Sequence, residues 1–173
     1  TYPLTFHFKW MVDLVTMPMG VGQMRYMVLT REDLKNQVEG RALPNKMTAA
    51  VCQFLIEEVV CQFGCVGKII ADRGELDAQE AEELFDRLGV KCSLTTADNP
   101  EVNGKIECGH KPIVKVLVPA CGGQVGNWPR LLPYALWADR TMYSSVTRFM
   151  PAELMYGQKP IMLMERTISS WAT

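Results

Sequence analysis

Three acidic residues have the type and setting to hold metal ions: Asp13, Asp72 and Glu107. Asp13 lies inside an apolar run, Met11-Val12-Asp13-Leu14-Val15. Asp72 ends a second, Lys68-Ile69-Ile70-Ala71. Glu107 follows a loop that holds Asn99-Pro100 and Asn103-Gly104. Fifty-eight residues intervene between Asp13 and Asp72, and thirty-four between Asp72 and Glu107. Carboxylates are hard oxygen ligands that suit Mg²⁺ or Mn²⁺ better than zinc. Two such ions roughly 3.5–4 Å apart can clamp the attacking and leaving oxygens of a phosphodiester. The chemistry on offer is therefore phosphodiester cleavage or exchange without a covalent enzyme intermediate.

Glu107, Lys111 and Lys115 recur at helical spacing, and Lys105 and Asn103 lie just before them. Lysines on the same stripe as a metal ligand would position a nucleic-acid backbone without reading its sequence. Spacing alone leaves a plainer alternative open. An Asp in a strand is often a cap or an ion-pair partner. A Glu four residues before a Lys is often a surface pair worth about 0.2–0.5 kcal/mol. Asp33, Asp98, Glu101 and Asp139 read as solvated charges, and His110 as a packing residue on a helix face.

The elements that must position these residues follow from periodicity. Strands are expected over Phe8–Met17, Tyr26–Thr30 and Gln37–Leu43, with short antiparallel connections. Asn45 can cap a helix carrying Met47, Val51, Phe54, Leu55 and Val59, which Gly64 ends. Lys68–Ala71 reads as a strand buried on both faces. Asp77 and Glu80 open a helix with Ala81, Leu84, Phe85 and Leu88 inward, stopped by Gly89. Val90, Cys92 and Leu94 alternate as a half-buried strand. A helix from about Gly104 to Val118, bounded by Pro119 and kinked at Pro112, turns Ile106, His110, Ile113, Val114, Leu117 and Val118 inward. After Gly122, Gly123 and Gly126, a long helix runs from Trp128 to about Tyr143, with Leu132, Leu136 and Trp137 in the core. A short helix covers Pro151–Tyr156. Hairpins followed by strand–helix–strand units imply an α/β fold with a mixed sheet.

Composition bounds the reading. The chain has 173 residues, 48% hydrophobic and 21% charged, which suits one globular domain. No run of 18 apolar residues suggests a membrane span. Thr1 to Asp13 lacks the order of a secretory signal, and the start without Met reads as a fragment. Net charge is −1, so any nucleic-acid contact must come from a local stripe rather than a general basic excess. Six cysteines (52, 61, 65, 92, 108 and 121) read as buried thiols: Cys61 and Cys65 could suggest a metal clip, but only His7 and His110 exist and no second Cys pair has zinc-site spacing.

Five ordered blocks resemble one family. Met11–Val15, then Ile70-Ala71-Asp72-Arg73-Gly74-Glu75, then Asn99–Glu107 are similar to the three catalytic blocks of retroviral-type integrases. Leu131–Ala138 and Met150–Gly157 look like their downstream helices. The likeness is greatest to the Ty3/gypsy class of LTR retrotransposons, particularly fungal ones. The resemblance implies an RNase H-like fold, a five-stranded mixed sheet with helices on both faces. It implies one catalytic core over 1–173, with a core to about 160 and a C-terminal extension or linker over 161–173. Asp13, Asp72 and Glu107 fall on the family's catalytic positions and would hold Mg²⁺ or Mn²⁺. Lys111, Lys115, Lys105 and Asn103 would contact DNA. The implied activity is trimming of element DNA ends and joining of their 3′ ends to target DNA. A homodimer or higher multimer would carry it out, in the nucleus and the cytoplasmic virus-like particle, with no membrane partner. Two positions depart from the family. Asp98 stands where Tyr or His is common, and Cys108 where Arg is common. They support a second reading, a catalytically inactive DNA-binding or assembly remnant. A third, an RNase H-like nuclease acting on hybrids, fits the downstream blocks poorly.

Overall fold

A computed structural model describes residues 8–64, 66–72, 76, 78–95 and 111–161. Five strands form one sheet in the order β3-β2-β1-β4-β5. They are β1 (Phe8–Gly20), β2 (Met24–Glu32), β3 (Val38–Leu43), β4 (Val66–Asp72) and β5 (Lys91–Thr95). The first three pair antiparallel, while β4 runs parallel to both β1 and β5. This is the mixed sheet expected from hairpins followed by crossover connections.

Strand ends differ from expectation. β1 runs to Gly20 rather than Met17, because its pairing with β2 slips between Thr16 and Gly20. Pro18, which has no N–H to give, falls within that irregularity. A 3₁₀ turn, Val21–Gln23, then closes the hairpin with Gly22 at φ 74°. β2 extends two residues further at each end than Tyr26–Thr30.

α1 (Thr48–Leu55) continues through a π-helical turn (Ile56–Val60) into α2 (Cys61–Phe63). Asn45 is not the cap expected of it: Met47 is the N-cap residue and makes no side-chain cap hydrogen bond, while the Asn45 side-chain oxygen accepts from the Met47 N–H at 3.2 Å in the turn before the helix. α3 (Ala78–Arg87) leads to β5, and Asp77 lies outside the described residues. α4 is helical over 111–120, so Pro119 does not bound it. Gly122 (φ 55°) and Gly123 (φ 85°) turn the chain just beyond, in the left-handed region that glycine tolerates. The expected first turns of that helix, with Ile106 and His110, lie outside the described residues, and the kink expected at Pro112 falls beside them. α5 (Trp128–Thr141) ends before Tyr143, where Met142 turns extended. α6 (Pro151–Tyr156) matches its expected range and ends at Gly157, which is left-handed.

Strand alternation divides the core in two. Trp10, Val12, Ile69 and Ala71 face Val51, Phe54, Leu55, Ala81 and Phe85 of α1 and α3. Met17, Met27 and Leu29 face Ile113 and Leu117 of α4 and Leu132, Ala135 and Leu136 of α5. Helices therefore cover both faces, and β4 is buried on both as expected. Four residues expected in the core are exposed instead: Met47, Leu88, Val118 and Trp137. Each sits at or near a helix end or just off the inward stripe. Trp137 follows Leu136 by one residue, about 100° round the helix from it. Cys61 is also exposed, against the expectation of buried thiols, whereas Cys52 and Cys121 are buried. No described helix is long and apolar enough to cross a membrane.

Candidate metal and nucleic-acid site

Parallel pairing between β1 and β4 decides how two of the three acids are placed. The last registered pair is Met11 with Ile70. Asp13 and Asp72 each lie two residues beyond it on adjacent strands, which run about 4.8 Å apart. Asp13 is half-buried and paired in register with Leu29 across β2. Asp72 is the last residue of β4 and pairs with Thr95 of β5. This is the carboxyl end of the parallel strands, where ligand sites of open α/β sheets gather.

Side chains fix which face is involved. Residues two apart on a strand share a face. Val15, which follows Asp13 at that spacing, packs in the cluster of α4 and α5, and Met11, which precedes it, forms a small buried pair with Ile70. α4 is anchored on that side by Ile113 and Leu117, both fully buried. Its described part begins four residues after Glu107. Glu107 itself lies outside the described residues, as do Asn103, Lys105, Asp98, Glu101 and Cys108. Lys111 and Lys115 are described, and both are exposed on the side of α4 away from Ile113 and Leu117.

The donor chemistry suits a hard divalent cation. The two placed candidates are carboxylates, and no His or described Cys lies within two residues of either. Among the described residues no group of three His, Cys, Asp or Glu side chains converges.

Ion pairs fix the sheet beside this site. Lys9, four residues before Asp13, bridges Asp33 at 3.2 Å. Asp139 is not the solvated charge expected of it. It bridges Arg31 at 2.9 Å with both side chains largely buried. Its neighbour Arg140 donates from Nε to the Val38 carbonyl at 2.8 Å and pairs with Glu39. An arginine inside the apolar strand Val28-Leu29-Thr30-Arg31 was the signal for this buried pair. Its partner, 108 residues away, had no local signal.

With strand order β3-β2-β1-β4-β5, three antiparallel and two parallel strands, and helices on both faces, the chain has the RNase H-like fold. Solved retroviral integrase structures share it. The chain is similar to the catalytic core domain of BIV integrase, with TM-score 0.69 and 18% identity over 87% of this chain and 95% of that one. It is also similar to a chain of the simian T-cell lymphotropic virus intasome in complex with PP2A regulatory subunit B56 gamma, with TM-score 0.75 and 14% identity. That match covers 87% of this chain and 54% of the other, so this chain spans about half its length. No family model matches the sequence, and no curated protein does.

Proposed function

We propose that this chain is the catalytic core of a retroelement integrase, of the Ty3/gypsy class that its blocks resemble, and that it processes and joins DNA 3′ ends. One observation carries the reading. Asp13 and Asp72 occupy matching places on adjacent parallel strands, in the fold of retroviral integrase cores. In this reading Asp13, Asp72 and Glu107 hold Mg²⁺ or Mn²⁺. The bound ions would supply charge neutralisation at the phosphate and a lower pKa for the attacking hydroxyl. Lys111 and Lys115, with Lys105 and Asn103, hold the DNA backbone in line for attack. The attacking 3′ hydroxyl then gives its proton to solvent and its oxygen bonds to phosphorus as the bridging P–O bond breaks, and the departing oxygen takes a proton from solvent. The intasome containing the second neighbour supports a multimer acting on element ends and target DNA. Such an enzyme would work in the nucleus and in a cytoplasmic virus-like particle.

A branched-DNA disintegration assay with Mg²⁺ or Mn²⁺ tests this. Asp13→Asn, Asp72→Asn and Glu107→Gln should each cost about a thousandfold in rate, the equivalent of about 4 kcal/mol of lost transition-state stabilisation. Activity that is unchanged in Asp72→Asn, or that persists in EDTA, rejects the reading. Asp98 and Cys108 favour the inactive remnant as the second reading. In that case the chain as it stands is inert, and Asp98→Tyr with Cys108→Arg gains activity or DNA affinity.

A further inference from the structure

Between the outer side of α4 and the chain leaving α5 lies a groove of about 520 Å³. Small organic ligands occupy cavities of roughly 300–1,000 Å³. Pro112 and Val116 of α4 line it, as do Met142 and Tyr143 just beyond α5, and together they give it apolar walls. Met142 and Tyr143 are 62% and 59% exposed, so these apolar groups face solvent across the groove. Lys115, Ser144 and Ser145 also line it and supply the polar atoms.

The charge balance gives the groove a sign. Its acid, Asp139, is held by Arg31 at 2.9 Å and is largely withdrawn from solvent. Its cation, Lys115, is exposed and makes no ion pair among the described residues. One positive charge is left beside apolar walls that include a phenol ring, a thioether and a proline. Rings stack on such surfaces, and sulfur contacts their edges.

We propose that this groove binds a small aromatic anion, with its ring between Val116 and Tyr143 and its carboxylate or sulfonate on Lys115. The site uses neither Asp13 nor Asp72 nor a metal ion. It shares Lys115 with the proposed DNA contacts; a titration without DNA or metal reads the groove alone, so its failure would leave the proposed reaction standing.

Amide chemical-shift titration of the chain with 1-naphthalenesulfonate, in EDTA and without DNA, tests the site. The expected result is saturable shifts confined to 112–118 and 139–145. Lys115→Met should weaken binding roughly tenfold, as should replacing the probe by neutral 1-naphthalenemethanol. Val116→Trp, at a partly exposed position, should fill the groove and abolish the shifts while the rest of the spectrum is kept. Three results would each overturn the proposal. One is shifts that do not saturate. Another is shifts that spread to Val146 and Phe149 and survive Val116→Trp. The last is equal affinity for the neutral compound.

Discussion

Glu39 is a buried carboxylate on β3, 4% exposed, and its environment pulls it two ways. Burial pushes its carboxyl above the usual range. Arg140 and the Gln37 amide, which donates to it at 3.0 Å, pull it down, and the negative Glu58 adds to the upward push. The upward push wins, so the folded chain holds this proton more tightly than the unfolded chain. Its contribution to stability is therefore fully present below the ordinary carboxylate value, and is lost as pH rises through the raised folded value. Glu39→Gln copies the protonated form. It should unfold at higher urea than the parent near pH 7, and the margin should close toward about pH 4. Urea midpoints across that range check the sign, and a margin that widens in acid would refute it. None of this was legible in the sequence, where Glu39 is one acid in a short strand. The same holds for Asp139. Its fate depends on Arg31, and nothing local announces a partner so far along the chain.

Between elements, α5 is tied to the sheet by consecutive residues of opposite sign. Asp139 takes Arg31 of β2, and Arg140 takes Glu39 and the Val38 carbonyl of β3. The Arg31–Asp139 pair has both side chains largely buried, and removing one partner there leaves a charge without compensation, at a cost of about 3–5 kcal/mol. Arg31 keeps its bonds to the Asn36 carbonyl and side chain, so Asp139→Ala should cost about 3 kcal/mol, near the low end. Arg31→Met with Asp139→Leu should recover most of that loss in denaturant titration. A double variant no better than the single one would point to packing as the source. Sequence patterning found the five strands and the α-helices among the described residues, because alternation and the i, i+4 stripe follow directly from burial, but it missed the short 3₁₀ turns Val21–Gln23 and Val125–Asn127. It misplaced ends. A strand can carry on through an irregularity, as β1 does past Thr16, and a proline such as Pro119 can sit inside a final helical turn.

At the scale of the whole molecule, a chain of net charge −1 must attract DNA locally or not at all. Lys111 and Lys115 are the exposed cations of α4. If both touch phosphate, Lys111→Ala with Lys115→Ala should lower the slope of log affinity against log salt by about 2, equally for unrelated sequences. A fluorescence-anisotropy salt series measures this. An unchanged slope would remove both residues from the interface. The neighbourhood of Asp13 and Asp72 was legible in the sequence for a topological reason. Two hairpins followed by a crossover leave the first strand free to take the fourth beside it. Glu107 lies outside the described residues, and the sequence ties it to this place through the resemblance of its block, since no periodicity says where a loop of Asn, Pro and Gly delivers the next helix.

The π-helical turn at Ile56–Val60 bears on how this chain tolerates changes in length. A π turn is a helix carrying one residue more than the α-helical pitch needs. Its ends remain useful. Phe54 and Leu55 are buried before it, and after it the Phe63 ring packs tilted by 30° against Trp10, centroids 5.1 Å apart. Arg41 meanwhile spans the widened turn to both Glu57 and Glu58. The extra residue can thus be shed without rotating either end. Deleting Glu57 should leave a regular helix and a soluble fold with an unchanged circular dichroism spectrum. Deleting Gln53, in the regular turns before it, should swing Val51 or Phe54 about 100° off the core and give insoluble protein.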